Sequence, residues 1–485
     1  MQCSLINRIA LIPIDNRPIC YDIVKDILSI DNKIELFMPD IALLGSLNTT
    51  ANIEGLFDFI KNLPPVDYFV IALDTIAYGG LVNSRRTNDT FDTIQKRIEE
   101  LKNIIPSKTK VLAFSSIMRI SNNDINEEEK EYWSKYGKKI FDWSYKGCKD
   151  EWMNRSIEIY TEDDVFTSLP SYLRTPSIPD DILTDYLNTR KRNFEINRLY
   201  LELARSGFFD TLVFSKDDCA EFGLNVKEAR ALEYIIKRDN IKNAIIKTGA
   251  DEIPLTLLAR ALSKDKNIEI NPVFIEADSK NLISKYEDIS INNCTKGQIE
   301  LAGCKISKYA PINLLINNFK IEQGDLVLGD VINNTDLKIE IPDKPYFIAD
   351  VNNANGADCN LAKQLLSQNT DNFYGYCGYN TSANTLGCAI LTAIVKYLAL
   401  KDNSYNDLAF KKLQFIRLTD DWLYQAKYRK FVRENSPDFI SALNKITSDI
   451  NNDTKVISEF LNYYPQKISY TLPWDRSFEI RIEVE

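Results

Sequence analysis

The sequence predicts an α/β protein with a parallel (β/α) barrel-like core and a C-terminal α+β extension; the alternative is two doubly wound α/β domains. Three observations lead there. Short, near-continuous apolar runs alternate with amphipathic helical stretches, the pattern of parallel strands covered on both faces. Polar clusters follow the carboxyl ends of most of these runs, where ligand sites lie in both architectures. A length of 485 residues exceeds one compact core and fits two α/β units, or one large barrel with an appendage.

Strands are expected at residues 9–14, 34–38, 68–73, 111–117, 211–214, 243–247, 273–276, 326–328, 346–349 and 373–376. Residues 1–400 form the α/β core, with a polar helical excursion at about 122–185 and a second polar excursion at about 280–340. Residues 401–485 form the extension, helical and charged at first and ending in a strand-like aromatic run at 468–485.

Composition narrows the partners. A formal charge of -10 with no Lys/Arg block leaves no basic face for nucleic acid. No apolar run approaches a membrane span, so no membrane partner is expected. The first residues lead straight into an apolar run and Pro13, unlike a secretory signal. Nine cysteines, an odd number with no C-x-x-C pair, point to reduced thiols and a cytoplasmic setting. The chain has no histidine, which removes Ser-His-Asp and Cys-His catalysis and His-rich zinc sites. Carboxylate acid/base chemistry, Lys or Tyr chemistry and oxygen-ligated Mg²⁺ or Ca²⁺ remain. No cofactor is expected, and the partner is a small molecule or an oligosaccharide.

The candidate residues follow the strands. Asp15 and Arg17 come after the first, and Asp74, Tyr78 and the pair Gly79-Gly80 after the third. Arg119 follows the fourth, Asp217-Asp218 the fifth, and Gly249-Ala-Asp251-Glu252 the sixth. Adjacent carboxylates at a strand end can divide their roles, one orienting or stabilising and the other donating a proton from a raised pKa. Two such pairs on neighbouring strands are what glycoside cleavage requires. The competing reading of each cluster is a helix N-cap or a dipole complement. Gly79-Gly80 is expected to let a ligand approach backbone N–H groups. Arg17 and Arg119 can bind a carboxylate or pair with the acids. Asn380 and Asn384, opening a helix, can read hydroxyl or amide groups.

Pro13-Ile-Asp-Asn-Arg-Pro18, Leu73-Asp-Thr-Ile-Ala-Tyr-Gly-Gly-Leu-Val-Asn-Ser-Arg85, Arg190-Lys-Arg-Asn193, Asp217-Asp218, Gly249-Ala-Asp-Glu252, Gly378-Tyr-Asn-Thr381 and Pro473-Trp-Asp-Arg-Ser-Phe-Glu479 together resemble one bacterial family. It is the domain-of-unknown-function family 4127, and the resemblance covers essentially the full chain. At position 379 the chain carries Tyr where that family is expected to carry Trp. Separately, Gly249-Ala-Asp-Glu252 resembles the Gly-Gly-Asp-Glu signature of hexosaminidase barrels. Asp217-Asp218 is similar to the paired aspartates of other substrate-assisted N-acetylhexosaminidases, in which one carboxylate holds the acetamido group and the next is the general acid.

The leading expectation is therefore a retaining, carbohydrate-active glycoside hydrolase, with N-acetylhexosaminides as one substrate class. Asp218 or Glu252 would do the acid work and Asp217 or Asp251 the positioning. Asp15, Asp74, Arg17, Arg119, Asn380 and Asn384 would hold the substrate, with Tyr78 and Tyr379 stacking on a pyranose. One alternative is an Mg²⁺-dependent enzyme on a phosphorylated or carboxylated metabolite, with Asp15, Asp74, Asp217, Asp218 and Asp251 as an all-oxygen site. The other is a non-catalytic sugar-binding protein.

Overall fold

The computed structural model describes residues 7–155, 160–167, 177–327, 329 and 331–485. In the first half of the chain, β1 (Asn7–Ile12), β2 (Ile34–Phe37), β3 (Tyr68–Ala72), β4 (Lys110–Ile117), β5 (Thr211–Lys216) and β6 (Ala244–Thr248) are rich in β-branched and aromatic residues. They form one parallel sheet in the order β2-β1-β3-β4-β5-β6. The second half contributes β7 (Glu269–Phe274), β8 (Lys305–Ile306), β9 (Ile312–Asn317), β10 (Gly324–Asp325), β11 (Tyr346–Asp350), β12 (Asn353–Ala354) and β13 (Phe373–Cys377). Five of these make a second parallel sheet, β13-β11-β9-β7-β8, while β10 and β12 pair as a short parallel bridge. The hairpin β14 (Ile468–Thr471) and β15 (Arg481–Val484) is antiparallel.

Both sheets place their first strand between their second and third. This is the doubly wound order, with a crevice at the carboxyl edge where the winding reverses. Among the described residues no pairing joins the edge strands of either sheet, so the expected single barrel is replaced by two open parallel sheets. The physical reason lies in the second half. The strand that centres it, β9 with the sequence INLLIN, falls inside the stretch 280–340 that reads as a polar excursion. Likewise, the run expected at 273–276 starts earlier, as β7. The run at 326–328 is a turn at 326 and 327, after β10, and its residue 328 lies outside the described residues.

Two helices join the sheets. Ile253–Ser263 packs on β3 and β4, Ser382–Lys401 packs on β11 and β13, and the two pack on each other. Each is apolar nearly all round, which suits a helix with no water-facing side. Pro254 sits in the first turn of the former, where its missing N–H costs nothing. By length and composition Ser382–Lys401 could cross a membrane, contrary to the expectation that no segment approaches that; 89% of its most apolar window is buried, and it serves as the central core helix. The extension shares that core, since Phe410, Leu413, Leu443, Ile450 and Ile480 join the same continuous cluster as Leu11 and Phe347. Helix Asp407–Leu418 runs into a π-helical stretch, Thr419–Tyr428.

Candidate functional site

Parallel strands present their carboxyl ends on one edge, so the loops after β1, β4, β5 and β6 meet there. They enclose a cavity of about 220 Å³ with the second sheet's loops and the tip of the C-terminal hairpin. Of the twelve residues singled out from the sequence, seven line it: Arg17, Arg119, Asp217, Asp218, Asp251, Asn380 and Asn384. Five do not: Asp15, Asp74, Tyr78, Glu252 and Tyr379.

Arg17 explains the first division. Its Nε donates to Asp15 Oδ2 at 2.8 Å, and its two terminal nitrogens grip Asp251 at 3.0 and 2.6 Å. The guanidinium lies over Trp474, 5.1 Å from the ring centroid. Tyr379 Oη donates to the same Asp251 at 3.4 Å and lies beneath Arg417. Asp251 is thus a bound counterion, and the Tyr379 ring has no face open to a sugar. Tyr78 is also buried, with Arg192 over its ring.

Glu252 points away from the cavity. Its carboxylate accepts from Ala250 N at 3.0 Å and Gln298 Nε2 at 2.8 Å, and burial pushes it up to about 8. Gly249 accommodates it: φ is +111° there, and a Cβ would fall 1.6 Å from Glu252 Oε1. In the fold Glu252 is protonated at neutral pH, whereas in the unfolded chain it titrates near 4.5. Its contribution to stability is therefore complete below about 4.5 and is lost as pH rises through about 8. Glu252→Gln replaces the protonated acid by its neutral isostere and removes the titration. The expected result in denaturant melts is a flatter dependence of stability on pH, with the variant gaining on the native chain as pH rises through about 8.

Asp74 is buried behind the rim, where it accepts from Ser116 N at 2.8 Å, and burial raises it to about 7. The N–H groups of Gly79 and Gly80 do not face a ligand. They donate to Thr75 O and Asp74 O, closing the helix Leu73–Tyr78, whose left-handed C-cap is Gly79. Of the five acids of the Mg²⁺ reading, Asp217, Asp218 and Asp251 line the cavity, but Asp251 and Asp15 are engaged by Arg17 and Asp74 accepts from a strand amide. Among the described residues no three Asp, Glu or Cys side chains gather as a metal-holding group.

Asp217 and Asp218 are the more open pair, with side-chain exposures of 15% and 29%. Asp218 sits at φ +34°, a conformation that costs a non-glycine residue strain and that recurs where geometry serves function. Arg119 Nη1 donates to its Oδ2 at 2.7 Å and stands 3.9 Å from Asp217 Oδ2. Burial first, and then the neighbouring Asp217 charge, raise Asp218 to about 7, and Arg119 opposes this. Among the described residues Asp217 Oδ2 accepts no hydrogen bond, and burial raises this carboxyl group as well.

Several lining residues were not anticipated. Tyr286 and Glu287 come from the second excursion, and Asn355 precedes Gly356 in a left-handed turn at φ +65°. Arg476 and Phe478 come from the hairpin tip, and Glu127 and Glu128 from the loop after β4. Arg476 ties these last two together, contacting Glu128 at 2.8 Å, Glu127 at 3.1 Å and Glu479. Burial alone would raise Glu128, but Arg119, Arg476 and Arg85 hold it well below the ordinary carboxylate range. The motif Pro473–Glu479 and the Asn-Gly turn were the available signals in the sequence. No local pattern marks Glu128 or Tyr286.

Fold and cavity together define an α/β protein with a carboxylate-rich pocket at the common edge of two doubly wound sheets. A family profile described as protein of unknown function (DUF4127) matches residues 9–483, and the chain belongs to that family. No curated protein and no solved structure matches the chain significantly.

Proposed function

We propose that this protein is a retaining glycoside hydrolase that cleaves N-acetylhexosaminides, with Asp218 as general acid and Asp217 as the carboxylate that orients the substrate's acetamido group. The reading rests on one observation: two adjacent aspartates share the cavity wall, one held near neutral protonation and the other with no hydrogen-bond donor on Oδ2. A group titrating near 7 donates protons efficiently at neutral pH. The Asp217 carboxylate, with Arg119 at 3.9 Å but no hydrogen-bond donor on Oδ2, accepts the acetamido N–H and thereby turns the carbonyl oxygen toward the anomeric carbon. Attack by that oxygen expels the leaving alcohol as Asp218 gives it a proton. Water, deprotonated by the same Asp218, then opens the cyclic intermediate with net retention. Asn380, Asn384, Asn355 and Thr381 offer donors and acceptors for hydroxyls, and Phe478 and Tyr286 supply aromatic surface.

The cavity's cations disfavour an anionic substrate. Arg17 is held by Asp15 and Asp251, Arg119 by Asp218, Glu128 and Glu129, Arg476 by Glu127, Glu128 and Glu479, and Lys216 by Asp288. An incoming phosphate or carboxylate would have to compete with those pairs.

The test is a panel of aryl glycosides assayed with and without chelator. Turnover of N-acetylhexosaminides is expected to exceed that of plain hexosides and uronides. Because the acid form of Asp218 is present below its raised pKa, kcat should fall as pH rises through about 7. Absence of turnover on every glycoside, or turnover that requires a divalent ion, would overturn the proposal.

A further inference from the structure

At the amino ends of β3, β4 and β5, the edge opposite the first cavity, a second cleft of about 340 Å³ opens where sheet one meets β8 of sheet two. Four cations line it, in a chain whose formal charge is -10: Lys110 at the start of β4, Arg260 and Lys264 at the end of the helix Ile253–Ser263, and Lys305 on β8. Two carboxylates oppose them. Asp210 has its Oδ2 occupied by Val111 N at 2.9 Å, and Asp265 lies in a left-handed turn at φ +61°.

The cations are placed unusually. Half-buried Arg260 reaches Thr211 Oγ1 at 3.1 Å and the Leu301 carbonyl at 3.2 Å, both neutral. Among the described residues no carboxylate forms an ion pair with Arg260, Lys110 or Lys264. Lys110 and Lys264, from different elements, stand beside each other on the cleft wall, and the contact raises the pKa of Lys110 and lowers that of Lys264. Like charges brought together are relieved by an anion between them. The partial negative charge at the helix's carboxyl end, about half a charge, offsets one cation at most.

We propose that this cleft is a second ligand site, binding the phosphate group of a phosphorylated small molecule between Lys110, Lys264 and Arg260. A phosphate dianion satisfies three converging cations at once, and Arg260 can present its fork to two oxygens. The remaining volume exceeds a lone phosphate and accommodates the rest of the molecule beside Tyr68 and Asn267. The site is independent of the hydrolase reading, because it shares no residue with the first cavity.

Thermal melts of the full chain, titrated with inorganic phosphate and pyrophosphate against chloride at matched ionic strength, test it. A saturable rise in Tm with phosphate and pyrophosphate is expected, absent with chloride. Lys264→Glu and Lys110→Ala lie at the accessible rim and should each raise the apparent Kd at least about tenfold. Arg260→Ala should do the same, and if that variant fails to fold the two lysine variants decide. A chloride response equal to that of phosphate, or lysine variants that titrate like the native chain, overturns the proposal.

Discussion

Asp218→Asn is expected to lower kcat about 10²–10⁴-fold on an N-acetylhexosaminide whose leaving group is a sugar or an alkyl alcohol. The amide keeps the volume and the contact with Arg119 but has no proton to give. With a nitrophenyl leaving group, which departs without protonation, the first step should be nearly unaffected. The fall of kcat through pH 7 should disappear, because the group responsible for it is gone. A merely structural Asp218 would lower both substrates alike and leave the pH profile in place; that result would sink the assignment. Asp217→Asn should instead impair both leaving groups together, since orientation of the acetamido group precedes departure.

Glu228→Gln is expected to be the most destabilising single change outside the site, at about 3–5 kcal/mol. Glu228, on the helix Leu224–Arg238, meets Arg190, on the helix Asp180–Arg205, through two hydrogen bonds of 2.7 and 2.9 Å. Both side chains are essentially excluded from water, at 0% and 3% exposure. Removing the carboxylate's charge leaves a buried guanidinium without its counterion, and that penalty is a large share of the about 5–15 kcal/mol that holds a typical domain together. Arg190 also donates to the carbonyls of Met118 at 2.7 Å and Arg119 at 3.2 Å, so it fixes the segment that delivers Arg119 to the cavity. A denaturant melt measures the loss; a change below about 1 kcal/mol would mean that water reaches the pair. Replacing both residues with apolar ones of similar volume should recover part of the stability while loosening Arg119.

The first sheet was largely legible in the sequence because its central strands β3, β4 and β5 are buried on both faces, so VIALD-like runs announce themselves without knowledge of their neighbours. The second sheet was not. INLLIN at β9 is bracketed by asparagines and lies among polar loops, and two-residue strands such as β8 have no pattern to detect. Parallel pairing also joins strands distant in the chain, so the choice between a closed barrel and two open sheets depends on which edges meet.

The amino-acid order alone determined that acids and guanidinium groups would gather at one edge, since every strand of a parallel sheet ends on the same side. It also determined that no imidazole would join them. Tertiary structure decided which acids remain available. Arg17 crosses 234 positions of sequence to neutralise Asp251, Gln298 draws Glu252 inward, and the hairpin tip brings Arg476 to Glu128. Local propensity carries no record of such partners, because whether a carboxylate is a counterion or a proton donor depends on the charge and the water beside it in space.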